Sequence, residues 1–220
     1  MTGIDETSVS DLRKPNGKSV ARRPAGNAEG LAPAADGKGT VVSFEIQPKL
    51  LLYPASGNGP PVRLKSPPGL EQAPRNEGIE ALTRLANGRL LALTEGLRAS
   101  GGTTGWVGSG RRWSTVTWRT GGGFRPTGAA TLPDGDVLVL ERRILPPGAR
   151  VRLLKSADIA EGAALEGKEI ARFEGALTVD NMEGIDACRG DAGETLVYLV
   201  SDDNYSFLQR TLLLMFRIIE

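Results

Sequence analysis

Acidic residues return at matched places along this chain, and its chemistry must be built largely from them. The phrases "NAEGLA" (27–32), "GIEALT" (78–83), "RPTGAA" (125–130) and "NMEGID" (181–186) place Glu29, Glu80, Thr127 and Glu183 in equivalent positions. Each phrase leads through a turn into a β-rich run closed by another acid: Glu45, Glu95, Glu141 and Asp202. Histidine is absent and Cys188 is the only cysteine. These counts exclude a Ser-His-Asp or Cys-His unit, a histidine-ligated zinc, a phosphohistidine, an internal disulfide and a multi-cysteine zinc site. Carboxylates, Lys, Arg, hydroxyls or a hard metal ion must supply any reaction.

Carboxylates gathered within a few ångström repel one another, and burial raises the pKa of each. They stay ionised only where a cation or hydrogen-bond donors offset the repulsion. Oxygen-only ligation without histidine suits Ca²⁺ or Mg²⁺. The expected ligand set is Glu29, Glu80, Glu183, Asp202 and Asp203, with Glu183 or Asp202 serving as ligand or general base. Arg142, Arg143 and Arg125 are the available counter-charges, and Arg142 and Arg143 could steady an anionic leaving group. The densest oxygen cluster joins "DNMEG" (180–184) to "SDDNYS" (201–206), where Asp180, Asn181 and Asn204 stand beside the acids. A plainer reading stands next to this one: repeat acids can bond backbone amides between repeats, and Asp202 to Asn204 can cap a strand as an Asx turn.

Those positions need a scaffold that repeats. The anchors Glu29, Glu80, Thr127 and Glu183 lie 51, 47 and 56 residues apart in turn, a period near that of kelch-type propellers. The runs "TVVSF", "RLLALT", "DVLVL" and "TLVYLV" are apolar on both alternating faces, as strands covered on both sides must be. "ANG" (86–88) and "PDG" (133–135) supply hairpin turns. Further strands are expected at 49–55, 111–119, 150–156 and 210–219, and one turn of helix within 156–165. The fold class is therefore all-β: a propeller of about 50-residue blades, with four repeats visible in an incomplete ring. A β-sandwich would also carry closely spaced turns, but it leaves the 50-residue period unexplained. In a propeller the first strand of each blade lines the axis, so an acid repeated there becomes a ring of acids.

Charge and length bound the rest. With 27 basic and 26 acidic residues, the chain lacks the basic footprint of a nucleic-acid binder. At 220 residues it can bury roughly 70% of its surface. The longest apolar run, "TLLLMF" (211–216), is too short to span a bilayer, so no membrane insertion is expected. The polar N-terminus has no apolar core of signal-peptide length, and the chain as given would be cytoplasmic. Residues 1–20 read as a polar segment or the remnant of a missing blade, and 21–220 as the propeller domain. A missing blade would leave an open sheet edge and hence self-association.

Other candidates are weaker. "TGGGF" (120–124) and "GSGRR" (108–112) lack the ending of a phosphate loop and read as loops. Trp106, Trp113 and Trp118 read as inter-blade packing rather than a sugar platform. Ser43, Thr94 and Ser201 stand one or two places before a repeat acid, but a serine nucleophile would need a lysine or carboxylate base here. Cys188, inside an expected strand, reads as a small buried apolar residue.

The closing phrase "DNMEGIDACRGDAGETLVYLVSDDNYSFLQRTLLLMFRI", with "NAEGLA" and "FRPTGAATLPDGDVLVLERR", resembles the phytase-like family of bacteria, described as having esterase-like activity of phytase. The resemblance runs from about residue 20 to the C-terminus. It implies a β-propeller, usually exported to the periplasm or secreted, in a family whose members extend further on the N-terminal side. By position it marks Glu29, Glu80, Asn181, Glu183, Asp202, Asp203 and Asn204 as motif residues, without saying which are catalytic. The expected function is a hydrolase of small-molecule esters or phosphate esters, with a divalent cation held by carboxylates and Asn181, Asn204, Arg142 and Arg143 contacting substrate. The alternative is a non-catalytic propeller that binds a ligand or a protein on its acidic face.

Overall fold

Two-faced apolar runs demand a neighbour on each side, and the chain provides one by stacking small sheets side by side. The computed structural model describes residues 12–19, 27–57, 59–175 and 179–219. Most of the expected N-terminal segment, residues 1–11 and 20, therefore lies outside the described residues. The strands form four sheets, which are four propeller blades.

The first blade runs from its inner to its outer edge as β1 (Ala28–Pro33), β2 (Gly39–Phe44), β3 (Lys49–Pro54) and β4 (Val62–Arg63). The second is β5 (Ile79–Arg84), β6 (Leu90–Ala99), β7 (Gly102–Gly108) and β8 (Trp113–Arg119). The third is β9 (Arg125–Thr131), β10 (Val137–Arg143) and β11 (Gly148–Leu154). Between β11 and the third blade's outer strand the chain crosses back to the second blade, where β12 (Ala164–Leu165) pairs parallel with β8. β13 (Lys168–Glu174) then completes the third blade. The fourth has β14 (Met182–Arg189), β15 (Thr195–Ser201) and β16 (Leu213–Arg217). All pairings within the blades other than that of β12 are antiparallel.

Side-chain alternation explains why the second strands are apolar throughout. On β10, Val137 and Val139 enter the layer against the second blade, while Leu138 and Leu140 enter the layer against the fourth. On β6, Leu91 and Leu93 face the third blade, and Leu90 and Ala92 face the first. Burying each such leucine contributes about 1.5–3 kcal/mol. Trp106 and Trp118 are fully buried in these layers, so they serve blade-to-blade packing. The expected turn of helix is a 3₁₀ turn, Ser156–Asp158.

The two ends of the array differ. On the first blade's outer face Val42, Phe44 and Leu51 are buried, and Tyr53 Oη donates to the Arg13 carbonyl at 2.9 Å. The fourth blade has three strands, and among the described residues β16 has no further partner. Its outer face presents Val200, Leu213 and Met215 to solvent. Cys188 lies on that face and is exposed, which corrects the expectation that it is buried: alternation along β14 turns it away from the third blade.

Candidate functional site

The four anchors sit at one structural feature repeated four times. On β5, Ile79 faces Thr94 and Ala81 faces Leu93, leaving Glu80 as an extra residue in the ladder. Thr127 on β9 and Glu183 on β14 are extra in the same way, and Glu29 falls in the register shift of β1. A β-bulge bends its strand and re-aims a side chain. Here all four bulged side chains reach one axial cavity of about 620 Å³, lined by Glu29, Glu80, Thr127 and Glu183. The residue after each anchor is small: Gly30, Ala81, Gly128 and Gly184. A Cβ on Gly30 would lie 2.7 Å from the Glu80 carbonyl, so the innermost strands can crowd the axis only without it.

Carboxylate oxygens of Glu29, Glu45 and Glu80 lie within 4.8 Å of one another. Glu45 follows β2 and points at the second blade; Glu80 is buried, and its Oε1 meets no hydrogen-bond donor among the described residues. Burial, then a hydrogen bond to Glu45 and the charges of Glu29, Glu45 and Glu95, push Glu80 up to about 12. It is therefore protonated at neutral pH in the absence of a cation. Loss of solvent around the Glu29 carboxyl, followed by the charges of Glu45 and Glu183, raises Glu29 to about 7. The donor set is all carboxylate and one buried oxygen lacks a partner, so these residues fit a hard divalent cation.

Across the axis the acids are already compensated. Arg142 Nη1 donates to Glu183 and to Asn181, and Arg142 Nη2 meets Glu95 Oε1 at 3.1 Å. Asn181 Nδ2 also donates to Glu183 Oε1 at 2.7 Å. Burial nevertheless raises Glu183 to about 7, against the lowering effect of Arg142 and Asn181. Arg142 is thus engaged by two carboxylates.

Several expected residues stand elsewhere. Glu141 is fully buried on the opposite face of β10, where Trp118 Nε1 donates to it at 2.9 Å and Arg150 Nε at 2.5 Å. Alternation puts Arg142, not Glu141, at the place equivalent to Glu45 and Glu95. Arg143 pairs with Glu174 at 2.5 Å and lies over the Phe124 ring, so it is not at the cavity. Asp203 accepts from Tyr205 N and Thr211 Oγ1, and Asn204 donates to Gln209; both build the loop after β15. Asp202 accepts from Asn204 N at 3.0 Å as an Asx turn, and its charge acts on both Glu29 and Glu183, but it does not line the cavity. Arg125 donates to the Glu95 carbonyl. Ser43 and Thr127 donate across blades to the Ile79 and Met182 carbonyls, while Thr94 and Ser201 bond carbonyls of their own blades. These hydroxyls hold backbone rather than act as nucleophiles. Sequence reasoning missed Glu45 as the third member of the trio, although its place two residues after Ser43 puts both on the face turned to the second blade.

A profile of the phytase-like family, described as esterase-like activity of phytase, matches residues 1–205. The chain belongs to the phytase-like family. The match begins at residue 1 rather than near residue 20. No curated protein matches the chain. Among solved structures, this phytase-like chain is similar to a protein of unknown function from Bacteroides caccae, with 14% identity and a TM-score of 0.45, covering 94% of this chain and 67% of that one. It is similar to hydrazine synthase of Kuenenia stuttgartiensis at 13% identity and a TM-score of 0.48, covering 98% and 66% of the two chains. A third likeness is to the β-propeller domain of Cps50 (Swd1) from Myceliophteria thermophila, at 10% identity and a TM-score of 0.44, covering 90% and 62%. The phytase-like chain spans about two thirds of the length of these solved chains. No helix among its described residues is long and apolar enough to cross a membrane.

Proposed function

We propose that this phytase-like propeller hydrolyses ester or phosphate-ester bonds of small molecules at its axial cavity, with Glu29, Glu45 and Glu80 holding a divalent cation, Ca²⁺ or Mg²⁺. One observation supports this most: the buried, partnerless Oε1 of Glu80 within a trio of carboxylates. A cation bound there would polarise an ester or phosphoryl oxygen and lower the pKa of a bound water. The chain's own residues then have distinct tasks. Glu183, raised to about 7, can take up or release a proton near neutral pH, and Arg142 and Asn181 fix its orientation. Asp202 is a further carboxylate whose charge reaches Glu29 and Glu183. The apolar wall of Leu31, Leu82 and Ile185 suits the organic part of an ester.

The test is release of phosphate from inositol phosphates, and of chromophore from a short-chain aryl ester, with calcium, with magnesium and with chelator. Cation-dependent turnover that E183Q abolishes is the expected result. Cation binding with no turnover of either substrate would transfer the site to the other role, a non-catalytic propeller binding ligands on its acidic face. The reading includes export to the periplasm or the medium, as the family resemblance implies, which fractionation of cells making the natural gene product would check.

A further inference from the structure

The junctions between consecutive blades bring together, at one height, the end of a second strand and the bulged anchor of the next blade. At the first junction Glu45 meets Glu80, acid against acid. At the second, Glu95 lies on β6 just past its last pairing with β5, and the anchor is Thr127, a hydroxyl. At the third, Arg142 meets Glu183, base against acid. The repeat has thus replaced a carboxylate by a guanidinium at one junction only. Arg142 also reaches back to Glu95 and across to the Asn181 side-chain oxygen. It gathers three oxygens from two chain segments, β6 and the entry to β14, the same number of ligand atoms that the Glu29, Glu45 and Glu80 trio offers.

We propose that Arg142 is the resident cation of the third junction, and that by filling this second set of oxygens it confines divalent-cation binding to the first junction. The inference rests on the cation reading of the trio given above. Its physical basis is the fixed charge of arginine, which no accessible pH removes, and the several N–H groups that let one side chain satisfy separate acceptors. A carboxylate at the same place would leave Glu95 and Glu183 in the unbalanced state of Glu45 and Glu80. The oxygen set would then require an ion from solution.

The experiment counts calcium ions per chain by calorimetric titration and equilibrium dialysis with calcium chloride, for the wild-type chain, R142E and R142K. The expected counts are one, two and one. R142E should also lose thermal stability in chelator and regain it with calcium, because both junctions then depend on the ion. A folded R142E that binds one ion, as the wild type does, overturns the proposal. So does an R142E chain still unfolded at saturating calcium, since a filled second site would hold the junction. R142Q gives an independent reading: with the charge gone and less repulsion added, it should bind a second ion more weakly than R142E, and a count of one would again count against the idea. A wild-type count of zero with one ion in R142E would remove the trio reading and leave the role of Arg142 standing.

Discussion

Glu45 and Glu80 approach each other from adjacent blades with no base between them, and Glu80 keeps a buried oxygen unpartnered. A buried polar atom without a partner costs about 1–3 kcal/mol. The propeller tolerates it because inter-blade layers on both sides of β5 and β6 hold the strands in place. That cost is fixed by packing that has nothing to do with the acids, and a cation bound at the trio would relieve it.

The titration of these acids makes stability depend on pH in a definite direction. Glu29 and Glu183 have folded values of about 7, above the ordinary 4.5, and Glu80 lies higher still. From about pH 4.5 upward the folded chain binds more protons than the unfolded one, so stability falls as pH rises through 7. In chelator, urea denaturation between pH 5 and 9 should show that decline. E80Q, which carries a neutral amide, should flatten it, exceed the wild type in stability at pH 8, and no longer respond to calcium. A wild-type stability that climbs across this range would contradict the arrangement.

Glu141 tests the separation of structural from site acids. It is fully buried and holds Trp118, Arg150 and Arg152. E141Q leaves Arg152 in the layer without its counter-charge, and breaking such a pair costs about 3–5 kcal/mol. Denaturation should show that loss, while the calcium count of the folded variant stays that of the wild type.

Thr127 occupies an anchor place but offers no charge. Its hydroxyl donates to the Met182 carbonyl at 3.0 Å and pins the third blade to the fourth. T127V should lose about 1–3 kcal/mol by leaving that carbonyl unpaired, with calcium affinity unchanged. A large fall in affinity would make Thr127 a ligand rather than a pin.

Much of this was legible in the chain itself. The recurrence of the anchors about every 50 residues, and second strands apolar on both faces, required stacked blades. The placement of Arg142 was hidden because Glu141 closes the third phrase as Glu45 closes the first, whereas alternation from Val139 sends Glu141 to the opposite face. β7 was hidden because Gly102, Gly105 and Gly108 weaken strand propensity. Those glycines are required by contact: a Cβ on Gly105 would come within 2.6 Å of a Leu93 methyl. The bulges could not be read at all, since they exist only in the register between two strands. It is the bulges that turn an alternating row of acids into a convergent set.

Gly30 ties that convergence to the chemistry. A Cβ there would lie 2.7 Å from both the Glu80 carbonyl and Leu82 Cβ, and 2.9 Å from Ser43 Oγ. G30A must therefore push β1 away from β5 and disturb the Ser43 hydroxyl, which accepts from Gly30 N and donates to the Ile79 carbonyl. Such overpacking costs about 1–3 kcal/mol. Because Glu29 is the neighbouring residue, the same shift should open the trio and weaken calcium binding by about tenfold, a change of about 1.4 kcal/mol. G128A is the control: its added carbon would sit 3.1 Å from an Ile185 methyl, on the side of the axis away from the trio. It should lower stability less and leave calcium affinity in place. Equal losses of affinity in the two variants would mean that the ion is held by the whole ring rather than by Glu29, Glu45 and Glu80.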